Sequence, residues 1–149
     1  MSVLKDQISE AVKDAMRARA KERLGALRLI SAEIKRVEVD TRKNLSDDDV
    51  LSILNKMLKQ RQDSVQQFEA AGRDDLVAVE RGEIAVIREF MPEPLSEEAL
   101  NQEIENAIAE SGAASMKDMG ALMSVLRPRV QGRADMGVVS ARVKARLSN

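Results

Sequence analysis

Apolar side chains recur at intervals of three and four along most of the chain, and the alternation expected of a half-buried strand is scarce. Leu4, Ile8, Ala11 and Ala15 share one face of a first helix that begins after Ser2. Leu24, Leu27, Ile30, Ile34 and Val37 mark a second, long helix reaching to about Arg42. The stretch NLSDDDV then supplies a start signal. Ser46 is a capping hydroxyl, and Asp47, Asp48 and Asp49 lie in a first turn, where the helix dipole favours carboxylates. Val50, Leu54, Met57, Val65 and Phe68 carry this third helix to Gly72, with the polar run KQRQDS (59–64) interrupting its seam. A fourth helix, about 74–91, has a seam of Leu76, Val79, Ile84, Ile87 and Met91, although Gly82 in its interior costs about 1 kcal/mol against alanine.

MPEPLSEE breaks the periodicity. Pro92 and Pro94 cannot continue a helix, and proline biases Met91 away from helical ψ. This hinge divides the chain into an N-terminal helical domain, 1–92, and a C-terminal domain, 93–149. Three shorter helices follow. Ser96 caps one bearing Leu100, Ile104 and Ile108, closed by Gly112. Ser115 and Asp118 have the spacing of a capping box before Met119, Leu122, Met123 and Leu126, and Pro128 is expected to end that helix. Asp135 is an N-cap for a last helix with Met136, Val139, Val143 and Leu147 on one face. The fold class is therefore all-α, four helices joined by a proline hinge to three.

Charge changes this picture more than composition does. The net charge of −1 over 149 residues argues for no whole-protein field. It is unevenly spread, however. Residues 93–110 hold six acidic and no basic side chains, and residues 111–149 hold seven basic and two acidic. A second basic stretch, RVEVDTRKN with KQRQDS, reads mainly as a solvated helix face.

In the tail, RPRVQGRADMGVVSARVKARL sets Arg127, Arg129, Arg133, Arg142, Lys144 and Arg146 around Gly132 and Asp135. Two readings are open for these cations: long side chains lying beside a packed seam, or a surface that holds something acidic. Gly132 is a turn residue with positive φ, whereas Gly120, inside a helix, implies close approach by another backbone.

The residue inventory bounds the chemistry. Cysteine, histidine, tryptophan and tyrosine are all absent, and Phe68 and Phe90 are the only aromatics. No disulfide framework, thiol nucleophile, imidazole base or ordinary zinc site is expected, and no cofactor. Ser115 with Lys117, and the DDD run, are better explained as caps and surface charge than as catalytic or metal groups. The N-terminus lacks the apolar core of a signal peptide and no run is long enough for a membrane span, so a soluble cytoplasmic protein is expected.

Several stretches in order carry a resemblance. RLGALRLISAEIKRVEVDTRK, KQRQDSVQQFEAAGRDDL, EFMPEPLSEEAL and SMKDMGALMSVLRPRVQGRADMGVVSARVKARL resemble stand-alone proteins of the GatB/YqeY family over essentially the whole chain. The last matches the family pattern K-D-M-G-x-x-M followed by G-x-A-D. Gly82 and Gly137 depart from it. The resemblance implies kinship with the tail of the B subunit of the tRNA-dependent amidotransferase, a carbon–nitrogen ligase with glutamine as amido donor, whose helical tail contacts tRNA away from the chemistry. It thereby implies tRNA as a partner, with Arg127, Arg129, Arg133, Arg142, Lys144 and Arg146 on phosphate oxygens. An amidotransferase or aminoacyl-tRNA synthetase is the alternative partner, bound through the long N-terminal helices. No active site is expected in the chain itself, and a further alternative is an accessory subunit of a carbon–nitrogen ligase, with glutamine as amido donor, whose active site forms only in the complex.

Overall fold

The computed structural model describes residues 2–148, and within them the chain is helical with no strand. It divides into two compact units, Met1–Met91 and Pro92–Asn149.

In the first unit, α1 (Val3–Arg17), α2 (Lys21–Thr41), α3 (Asp47–Ala70) and α4 (Asp74–Arg88) surround one apolar core. Ile8, Leu27, Ile30, Leu54 and Ile87 are its most deeply buried large side chains. The start of α1 is doubly held. The Ser2 hydroxyl accepts from the Lys5 amide at 3.0 Å and donates to Asp47 Oδ1 at 2.5 Å. The same carboxylate oxygen accepts from the Leu4 amide at 3.1 Å. These bonds hold the Asp47 carboxyl below the usual range, the Ser2 hydroxyl contributing most. Ser46 and Asp49 close the α3 capping box at 3.2 and 3.0 Å, and Gly72 follows α3 at φ 69°.

α4 keeps its expected seam at Leu76, Ile84 and Ile87 and departs from it at Val79. It runs through Gly82 without a break. Val79 is 58% exposed, and Val77 is buried in its place. On a helical wheel Leu76, Val77, Ile84 and Ile87 bracket Glu80, and Val79 lies about 100° round from that seam. A carboxylate therefore occupies the middle of an apolar face. Glu80 Oε2 is out of solvent with no partner among the described residues, and burial first, then the neighbouring Glu83, pushes its carboxyl up. Glu83 itself receives Arg61 Nε of α3 at 2.8 Å.

In the second unit, α5 (Glu97–Ser111) leads through Gly112 at φ 70° to a single 3₁₀ turn, Met116–Asp118. α6 (Met119–Val130) and α7 (Met136–Ser148) complete it. Ser96 caps α5, its hydroxyl accepting from the Ala99 amide at 3.0 Å. The Asp118 carboxylate reaches back to the Ala114 and Ser115 amides at 2.8 and 3.2 Å. Leu122, Leu126, Val130, Val139 and Val143 form the centre of this core.

Pro128 lies inside α6 and does not end it. Its missing amide falls in the last turn, and the chain re-forms a bond at once, Gln131 N donating to Arg127 O at 2.9 Å. No helix among the described residues is long and apolar enough to cross a membrane.

Candidate nucleic-acid interface

The tail cations fall into two groups. Arg142 and Arg146 stand one turn apart on α7 and face α5, where Glu97, Asn101 and Glu105 recur at intervals of four. Arg142 donates to Asn101 Oδ1 at 3.0 Å and to Glu97 Oε1 at 3.1 Å. Arg146 clasps both Glu105 oxygens, at 2.7 and 3.3 Å. That hydrogen bonding is the main cause of a Glu105 carboxyl below its usual range and an Arg146 guanidinium above its own. From α6, Arg129 reaches Glu110 Oε2 at 2.5 Å.

Arg133 serves the backbone. Its Nε donates to the Glu93 carbonyl at 3.1 Å, and its own carbonyl accepts the Leu95 amide at 2.8 Å. It thus ties the segment before α5 to the turn after α6.

Arg127 and Lys144 are exposed and have no hydrogen-bond or ion-pair partner among the described residues. The structure brings four of the six cations onto groups of the same unit and leaves these two free. Lys117, in the 3₁₀ turn, is a third free cation that sequence reading left out of the set.

The remaining positions are structural. Gly132 is left-handed at φ 78°, directly after the end of α6. Asp135 accepts the Gly137 amide at 2.7 Å, and its carbonyl accepts Val139 N at 3.0 Å, as an N-cap does. Gly120 corrects an expectation: it is exposed, and a Cβ there would have nothing within 4 Å. No backbone among the described residues packs on it.

Among the described residues no group of three acidic side chains is placed to hold a metal. Asp47 and Asp49 of the DDD run are occupied with capping.

The acidic partners were present in the composition, as six carboxylates just before a basic tail. Their pairing needed the fold, because Arg142 and Glu97 are 45 residues apart. Glu80, in the first unit, had no sequence signal beyond its position between Leu76 and Ile84.

Two small all-helical units, the second clasped through arginine–glutamate pairs, define an all-α protein by class. Comparison with known families then places it: the model of the YqeY-like proteins matches residues 5–147, and the chain belongs to that family. It is 33% identical over 89 residues to an uncharacterised protein of Schizosaccharomyces pombe, covering 60% of this chain and 72% of that one. It is 26% identical over 145 residues to the altered inheritance of mitochondria protein 41 of Pyrenophora tritici-repentis, covering 96% of this chain and 80% of that protein. The Saccharomyces cerevisiae protein of the same name is 35% identical over 89 residues, 58% of this chain, and the match spans about half (48%) of its length.

Proposed function

We propose that the chain is a non-catalytic accessory protein that holds tRNA by its phosphate backbone through α6 and α7, as the resemblance to the amidotransferase tail implies. The observation that carries this reading is the pair of exposed, unpartnered cations, Arg127 and Lys144. Arginine and lysine on phosphate position an RNA without reading its bases, which suits a chain with two aromatic residues. Arg129, Arg142 and Arg146 form a reserve. Their carboxylate partners sit at the surface, where such pairs contribute little, so a phosphate competes on favourable terms. Arg133 drops out of the binding set, because its guanidinium and carbonyl hold the unit together. The setting this reading assigns is the cytoplasm, and the partners it admits include an amidotransferase or a synthetase that shares the tRNA.

The test is the affinity of the full chain for bulk tRNA across a salt series. A phosphate clamp of two or three contacts gives a slope of log K against log salt of about −1.4 to −2.7. The double variant R127E/K144E is expected to lose about tenfold or more in affinity while its helicity stays intact. No binding at low salt, or binding indifferent to that variant, sinks the reading.

A further inference from the structure

In the first unit, α2 carries an unusual outward face. Lys21, Arg28, Lys35 and Arg42 recur every seven residues, are all exposed, and have no partner among the described residues. Seven residues fall only about 20° short of two turns, so the four cations form a slowly drifting stripe about 30 Å long.

A second stripe runs beside it at the same spacing: Gly25, Ala32 and Val39, joined by Leu29. Leu29 is 46% and Val39 66% exposed. The far edge holds Glu22, Glu33 and Asp40. Two of these carboxylates are already engaged, Arg36 reaching Glu33 at 2.6 Å and Asp40 at 2.9 Å. The opposite side of the same helix, Ala26, Leu27, Ile30 and Ile34, is buried in the core.

Beside its cations the outward face of α2 thus exposes two large apolar residues, Leu29 and Val39, with Arg36 between them turned to the carboxylates of the far edge. A solvated helix has no use for the outer seam. Nucleic acid would use the cations and leave Leu29 and Val39 wet. An amphipathic helix uses both. Its apolar residues would lie over Gly25, Leu29, Ala32 and Val39, where the two small side chains admit an interaxial distance of about 8–10 Å. Carboxylates along one of its edges would meet the basic stripe, in the way flanking charges set partner choice in coiled coils.

We infer that the outward face of α2 docks an amphipathic helix of a partner protein, acidic along the edge that meets Lys21, Arg28, Lys35 and Arg42. This site is additional to the proposed tRNA surface and shares no residue with it. Charge complementarity selects the occupant: an edge of lysines would be repelled by the stripe, and a neutral one would leave it unpaired.

The test uses the full chain and a fluorescein-labelled helical peptide as long as α2, with a leucine and alanine seam and glutamates along one edge. Its twin has lysine for every glutamate. Fluorescence anisotropy should show the acidic peptide binding and its twin failing to bind at about 100 μM, with the affinity falling as salt rises.

Arg28→Glu with Lys35→Glu should weaken the acidic peptide about tenfold or more, and Leu29→Ser with Val39→Ser about fivefold with the salt slope unchanged. These positions are exposed, so circular dichroism should show native helix in both. R127E/K144E should leave peptide binding intact, which separates this site from the tRNA reading. Failure of the acidic peptide to bind, or binding indifferent to R28E/K35E, overturns the inference. Loss of tRNA affinity in R28E/K35E without any peptide binding reassigns the stripe to nucleic acid.

Discussion

Two helix faces, the outward face of α2 in the first unit and the α7 face in the second, treat positive charge in opposite ways. In the second, Arg129, Arg142 and Arg146 are drawn onto the glutamates of α5, and two cations of the six stay free. In the first, the four cations of the α2 stripe have no partner at all among the described residues. What separates the cases is the neighbour. α5 presents the acceptors Glu97, Asn101 and Glu105 at the same four-residue interval as the arginines of α7, whereas the outward face of α2 has no helix opposite it within its unit. Local density of basic residues is thus a poor guide to available charge. The residues across the groove decide.

The comparison is sharpened first by asking what holds the clasped unit together. Leu126 is fully buried, and Leu126→Ala should cost about 2–5 kcal/mol in urea denaturation. Arg146→Ala should leave the midpoint almost unmoved, since an exposed pair contributes little. Equal losses would make the clasp a principal source of stability.

A smaller effect tests the exception in the first unit. Arg61 and Glu83 are 15% and 21% exposed, the most sheltered ion pair among the described residues. Arg61→Ala should cost about 2 kcal/mol, below the figure for a fully buried pair, and leaves Glu83 beside Glu80 without a cation.

Next, Glu97→Gln, Glu105→Gln and Glu110→Gln together should free three arginines. Affinity for tRNA should rise about tenfold at low salt, by removal of competitors and of negative charge. No change would mean that these arginines never leave α5.

The pH profile follows from the shifts with their signs. Asp47, Asp49 and Glu105 titrate below their unfolded values, so their stabilisation is complete above the usual carboxylate range. It is lost as pH falls through the folded values, and thermal melts should drop below about pH 4. Glu80 has the opposite sign: its raised value penalises the folded state at neutral pH, and acidification relieves the penalty. Glu80→Gln should therefore raise the melting temperature slightly at pH 7 and less at pH 4. The smallest expected effect is that of R28E/K35E, whose urea midpoint should match the parent.

Much of the fold was legible because its signals are local. Ser46 and Ser96 stand immediately before acidic first turns and Asp135 before Met136, and Gly72, Gly112 and Gly132 take the left-handed conformation that ends a helix or turns the chain. Where local rules compete with packing they misled. Pro128 seemed a stop, yet a proline in a last turn sacrifices a single bond, and Val130 is fully buried beyond it. Val79 has the helical spacing of a core residue, yet it is exposed while Val86, two turns on along the same side of α4, is buried. The candidate site was legible as a set of cations and not as a set of free cations, because pairing across 19 to 45 residues is a property of the fold.

α2 ends on Arg42 at φ 54°, a left-handed position where glycine would be about 1 kcal/mol cheaper. Arg42 is also the last cation of the stripe. A designer optimising thermal stability would replace it with glycine and, in the same stroke, shorten the surface proposed for the partner helix. At this corner the stablest sequence and the best-binding sequence are different proteins, and an ancestry in which the arginine persists through many substitutions around it would record which of the two was selected.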